Sequence, residues 1–170
     1  LEAYLRFGIV NDLGAALSPV NSFLLQQGIE TLSLRMAKHL ENAEIVAAWL
    51  ATHPAVESVD FAALPTSPFH GISRERFGGH AGSVFAFTVR GGRAAAERFF
   101  DSLRLISRMT NIGDVRSMAL HPATTTHVSF PPEERERLGI GDGLIRLSIG
   151  IETASDLIAD LDRALAAASS

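Results

Sequence analysis

Residues Asn111 to His127, NIGDVRSMALHPATTTH, place two His, four small hydroxyl residues, an Asn, an Asp and an Arg in seventeen positions. The Asn amide both donates and accepts, and each threonine hydroxyl takes either role, so the stretch suits the wall of a polar pocket. It suits equally a loop whose Thr and His side chains satisfy their own backbone. A second candidate is Leu144 to Ile151, LIRLSIGI. Strand alternation there puts Ile145, Leu147, Ile149 and Ile151 on one face and leaves Arg146 and Ser148 together on the other. Arg146 is then either an ordinary solvent-facing residue or a guanidinium held on a rigid strand to grip a carboxylate through parallel hydrogen bonds. The strand alone leaves both open.

Other chemistries find less support. His121 and His127 are six apart, matching neither the i, i+4 pair of a helical zinc site nor a tight H-x-H, and no carboxylate stands at ligand spacing. The histidines are expected to be structural, with no metal. The glycine-rich pieces Phe77–Gly82 and Gly139–Gly143 lack both the Gly-Lys-Ser/Thr of a phosphate loop and the strand leading into a G-x-G-x-x-G turn, and read as turns. No serine occupies a G-x-S-x-G elbow.

The elements that must position these residues follow from hydrophobic period and punctuation. Ser18-Pro19 reads as a helix N-cap and first turn. Apolar residues at Leu25, Ile29, Leu32, Met36 and Leu40, continued by Ile45, Val46, Trp49 and Leu50, predict one long helix over about 19–52, kinked near Gly28. Val56–Phe61 and Ser83–Val89 read as strands, the latter with Phe85, Phe87 and Val89 on one face. A helix is expected from about Arg93 to Leu103, a strand over Ile106–Ile112, a short charged helix over Pro131–Leu138 and a strand over Leu144–Ile151. Thr153-Ala154-Ser155-Asp156 resembles a capping box opening a last helix with Leu157, Ile158, Leu161 and Leu165 buried. The spacings favour an α/β (α+β-like) domain: a long N-terminal helix, then a small mixed or antiparallel sheet covered by helices on one face.

At 170 residues and 46% hydrophobic, the chain can bury a substantial core. A net charge of −4, with basic residues interspersed among acids, gives no footprint for nucleic acid or anionic membrane. There is no cysteine, which excludes disulfides and thiolate chemistry. No apolar run approaches a membrane span, and the expected setting is cytoplasmic. The chain opens Leu1-Glu2-Ala3-Tyr4 and has one lysine, Lys38, so it is expected to be part of a longer protein.

Four segments, "DLGAALSPVNSFLLQQGIETLSLRM" (12–36), "HPAVESV" (53–59), "NIGDVRSMALHPATTTH" (111–127) and "LIRLSIGIE" (144–152), together resemble the C-terminal part of the pyridoxal-phosphate-dependent enzymes of cysteine and methionine metabolism. The motifs most resemble the O-acetylhomoserine sulfhydrylase branch, and they span nearly the whole chain in the family's order.

The resemblance implies a fold-type I C-terminal domain. Residues 1–52 would be the lead-in and connecting helix, and 53–170 the small domain that holds the substrate carboxylate. The large cofactor domain would lie outside this chain. Arg146, in the family's L-[IV]-R-L-S-[IV]-G motif, would bind the carboxylate. Asn111, where the lyases commonly have Ser, would assist, and Thr126 would line the same pocket. The implied reaction is γ-replacement of acetate in O-acetyl-L-homoserine by sulfide to give homocysteine, with pyridoxal phosphate as electron sink in a homotetramer. The family's Schiff-base lysine follows a Ser-x-Thr motif absent here, whereas Lys38 reads as a solvated helix residue, so the isolated chain is expected to be inactive. Alternatives are another family member, cystathionine gamma-synthase or methionine gamma-lyase, or a non-catalytic amino-acid-binding or assembly module.

Overall fold

A computed structural model describes residues 1–14 and 16–169. The chain falls into two compact units, Leu1–Leu34 and Arg35–Ser170. In the first, α1 (Glu2–Tyr4), a π-helical turn (Leu5–Val10) and α2 (Asn11–Leu13) run into a left-handed Gly14. Helix α3 (Pro19–Glu30) follows, and its N-cap is the expected one: Ser18 Oγ accepts from the Asn21 N–H at 3.1 Å. None of these elements buries a residue.

Helix α4 (Leu32–Leu50) begins immediately after Thr31, which caps α3. The expected continuous helix is therefore interrupted at Thr31 rather than kinked at Gly28. The stripe read from Leu25 to Leu40 also gives way to another: Leu25, Ile29, Leu32 and Met36 are exposed, while His39, Asn42, Ala43, Val46, Ala47 and Leu50 are buried. A leucine-rich period marks an apolar stripe without saying what covers it.

The second unit is built on a mixed five-stranded sheet. Its strands are β1 (Val56–Asp60), β2 (Val84–Val89), β3 (Ser107–Arg108), β4 (Met118–Leu120) and β5 (Leu144–Ser148), in the order β1-β2-β5-β4-β3. Only β3 and β4 pair in parallel. Phe85, Phe87, Ile145, Leu147 and Ala119 share one face of the sheet. That face packs into a single core with Val46 and Leu50 of α4, Ala96 and Phe99 of α6 (Gly92–Ser102), and Leu157, Leu161 and Leu165 of α8 (Ala154–Ala168). Phe87 meets Phe99 edge-on, with ring centroids 5.5 Å apart. The remaining helices, α5 (His70–Phe77) and α7 (Pro132–Arg137), are short.

Three expectations are corrected. The strand read over 106–112 forms a ladder only at Ser107–Arg108, because the chain then turns to direct its carbonyls at Arg146. The strand read over 144–151 ends at Ser148, and Ile151 is exposed rather than sharing the buried face. Thr153 does cap α8, but no side-chain bond closes a capping box; the Asp156 N–H donates to the Thr153 carbonyl instead.

Asp160, inside α8 and 5% exposed, fixes the path of the chain leaving α6. Its carboxylate accepts the backbone N–H groups of Arg104, Leu105 and Ile106 at 3.0–3.2 Å and pairs with Arg163. Asp160→Ala strands three donors at the edge of the core and is expected to cost about 3 kcal/mol. A urea midpoint that falls accordingly, with unchanged slope, would confirm this; Asp160→Asn should lose less.

Candidate functional site

The second sheet face is where the polar residues gather. The ladder sets Arg146 opposite Ala86 on one side and Leu120 on the other, and Ser148 opposite Val84 and Met118. The loop from Thr110 to Ser117 runs alongside this face. Arg146 Nη2 donates to the backbone carbonyls of Thr110 at 2.7 Å and Asn111 at 3.3 Å. The Gly113 N–H donates to Ser148 Oγ at 3.3 Å, and the Ile151 N–H donates to the Val115 carbonyl at 2.9 Å.

Arg146 is half-buried, and no carboxylate lies within ion-pair distance of it among the described residues. Its Nε is shielded from solvent with no partner. Nη1 makes no hydrogen bond among the described residues, so both it and Nε remain free to donate. A half-buried cation paired with two carbonyl dipoles and no acid can still take an anion through parallel hydrogen bonds. By contrast, Arg135 is neutralised by Asp142 at 2.8 Å and Arg163 by Asp160.

The structure brings Arg146 and Asn111 together, through the Asn111 backbone; the Asn111 side-chain amide is exposed and makes no hydrogen bond among the described residues. Thr126 is exposed, and its Oγ1 pairs with His127 Nδ1 at 2.9 Å, with no hydrogen bond to Arg146. The other hydroxyls serve the loop itself. Thr125 Oγ1 donates to the His121 carbonyl at 2.7 Å and Thr124 Oγ1 pairs with His121 Nδ1 at 2.8 Å. Buried His121 faces the Asp142 carbonyl through Nε2 at 2.9 Å, so Nε2 carries the proton and Nδ1 accepts. No group of three or more metal-ligating side chains is found among the described residues. Asp114, in the same loop, is held below the usual carboxylate range, chiefly because it accepts the Arg116 backbone N–H at 3.0 Å, with the Arg116 guanidinium adding to the effect.

Behind this face lies a buried polar network that sequence reasoning missed. Glu152 Oε1 accepts the Ser117 N–H at 2.6 Å, Ser117 Oγ donates to Glu152 Oε2 at 2.9 Å, and the Gly150 N–H donates to Ser117 Oγ at 2.8 Å. From α4, His39 Nδ1 donates to the Ile149 carbonyl at 2.6 Å, and Asn42 Nδ2 to the carbonyls of Gly150 at 3.0 Å and Glu152 at 2.7 Å. The available signal was His39 and Asn42 standing three apart on a face otherwise made of Ala, Val and Leu.

Two clefts of about 560 and 620 Å³ lie elsewhere, one beside His53, Arg90 and Asp162 and the other beside Phe69, Ile72 and Phe77; neither is lined by Arg146 or Asn111.

The second unit is thus a small α/β domain that offers, from its middle strand, an arginine with no acid beside it among the described residues. Residues 2–166 match the model of the Cys/Met metabolism PLP-dependent enzyme family, and the chain belongs to that family. It is 46% identical over 160 residues to the O-succinylhomoserine sulfhydrylase of Pseudomonas aeruginosa, covering 94% of this chain and 40% of that protein. The L-methionine gamma-lyase of Pseudomonas putida is 43% identical over 160 residues, with the same coverage, 94% and 40%. Among solved structures, a protein described as an O-acetylhomoserine (thiol)-lyase from Campylobacter jejuni superposes with a TM-score of 0.86 at 38% identity, covering 96% of this chain and 39% of that one; it carries N′-pyridoxyl-lysine-5′-monophosphate. The chain thus spans about 40% of the length of the relatives it matches. Members of the family depend on pyridoxal phosphate. The residues of this chain do not fit the lysine role: Lys38 lies on α4 with its Nζ 3.1 Å from Glu41, and it is the only lysine.

Gly150 tests the network directly. A Cβ there would overlap the Val115 carbonyl and the Glu152 carboxylate and stand 2.6 Å from the Ser117 amide nitrogen. Gly150→Ala is expected to cost about 3 kcal/mol through overpacking against backbone. A thermal melt with an unchanged midpoint would contradict this reading.

Proposed function

We propose that this chain is the substrate-carboxylate part of an O-acetyl-L-homoserine sulfhydrylase, which replaces the acetate of O-acetyl-L-homoserine by sulfide to give homocysteine. The supporting observation is Arg146: half-buried, on the middle strand of the sheet, with Nε unpartnered and no acid beside it. A substrate α-carboxylate supplies the missing charge and accepts the free N–H groups. Fixing that carboxylate orients the amino acid so that the hydrogen on its α-carbon faces the catalytic groups, an alignment worth several kcal/mol when the geometry is right. The chemistry of electron withdrawal belongs to pyridoxal phosphate, held by a larger domain outside residues 1–170.

Asn111 and Thr126 complete the proposed site. The Asn111 amide, unpaired here, reaches the same carboxylate, and Thr126 lines the approach. Asn at position 111, where the lyases commonly have Ser, is the residue on which the resemblance to the sulfhydrylase branch partly rests. Residues 1–52 form the connecting segment and 53–170 the substrate domain. No helix is long and apolar enough to cross a membrane among the described residues, and we place the enzyme in the cytoplasm. Apolar side chains left exposed before residue 35, such as Tyr4, Phe7, Phe23, Leu24 and Ile29, suit burial in the homotetramer of the full protein.

Arg146→Ala in the full-length enzyme should lower kcat/KM for O-acetyl-L-homoserine by about 3 kcal/mol of transition-state stabilisation, roughly 150-fold, with the cofactor's visible absorbance retained. Steady-state kinetics that match the parent would remove Arg146 from the site.

A further inference from the structure

The Thr110–Ser117 loop is stitched to β5 and to the residues that follow it, and the stitches run in sequence order. Arg146 holds the carbonyls of 110 and 111, Ser148 Oγ holds the N–H of 113, the N–H of 151 holds the carbonyl of 115, and Glu152 holds 117. These stitches differ in kind. The first uses the same guanidinium whose remaining N–H groups a substrate carboxylate would take, so it is shared whenever the site fills. The second is a long bond at 3.3 Å between neutral groups, and the third is a single backbone bond. Only the last has a carboxylate as acceptor: both Glu152 oxygens are engaged, on the Ser117 N–H at 2.6 Å and its hydroxyl at 2.9 Å, and the same hydroxyl accepts from Gly150 at 2.8 Å. Bonds to an ionised acceptor are roughly twice as strong as neutral ones.

Glu152 lies outside the hydrophobic core and forms no ion pair among the described residues. Its carboxylate is committed to the loop. The segment that bears it is in turn fixed by Asn42 through the carbonyls of 150 and 152 and by His39 through the carbonyl of 149.

We infer that Glu152 is a positioning residue for substrate recognition: its carboxylate, clasping Ser117, keeps the backbone carbonyls of Thr110 and Asn111 against Arg146 while the guanidinium is shared with the substrate's carboxylate. The inference rests on the reading of Arg146 given above. Glu152 touches no substrate and moves no proton. Its removal frees the loop, so the arginine loses its alignment and the acid group is held less selectively.

The test compares O-acetyl-L-homoserine with its α-carboxamide on the full-length enzyme, since the amide lacks the anionic group but keeps the rest of the substrate. Parent enzyme should favour the acid, and Arg146→Ala should bring the two kcat/KM values close together. Glu152→Ala should reduce the preference roughly tenfold, mostly through KM, with kcat for the acid changed about twofold at most. Glu152→Gln, which keeps an acceptor for the Ser117 N–H, should recover part of that preference. Hydrogen exchange should quicken in peptides covering 110–117 in Glu152→Ala and Glu152→Gln. Should Glu152→Ala fail to fold, Ser117→Ala removes one of the two contacts and should reduce the preference roughly threefold. An acid preference intact in the Glu152 and Ser117 variants but lost in Arg146→Ala would overturn the inference alone. A preference that survives Arg146→Ala would overturn the reading of the site and the inference with it.

Discussion

A positive charge on the middle strand, taken partly out of water and left without an acid, is the interaction around which the second unit is arranged. Such a cation is costly unless dipoles or a ligand compensate it. Here the compensation is two backbone carbonyls, and carbonyls stay in place only if their loop does. The loop departs from regular strand geometry after residue 109, and the following residues are fastened back to β5 and the segment just after it. Placing the guanidinium on a hydrogen-bonded ladder rather than on a loop limits its freedom to its own side-chain torsions.

The division of labour between the two sheet faces follows from the pleat. Ile145, Leu147 and Ala119 on one face meet the aromatic and aliphatic side chains of α4, α6 and α8, and that face supplies the stability. The opposite face is released from that task and carries the polar groups. Helix α4 contributes to both tasks at once. Val46 and Leu50 enter the core, while His39 and Asn42, nearer its start, satisfy carbonyls at the end of β5 that the sheet leaves unpaired.

Much of this was legible in the residues. The alternation of LIRLSIGI put Arg146 and Ser148 on the shared face that the ladder shows, and Ser18-Pro19 named its own helix cap. The threonines after Pro122 were open between pocket and loop, and Thr124 and Thr125 went to the loop because the His121 ring and carbonyl lie within one turn of them. What escaped were interactions between distant positions. Glu152 and Ser117 are 35 residues apart, and Asn42 lies 108 residues from Gly150. No local period encodes such pairs. Two strand ends were overextended for the same reason: β-branched and aliphatic runs continue beyond the last ladder bond, and only the partner's position says where pairing stops.

The sheet's borders have a consequence of their own. On one side stands β3, two residues long; on the other stands β1, whose register slips between Val56 and Ser58. Short or irregular rims offer an incoming backbone little to template on, and natural proteins use both devices to discourage runaway strand addition. Such rims make it harder for a neighbouring molecule to prolong the ribbon, and leave side chains on helices and loops as the easier points of contact.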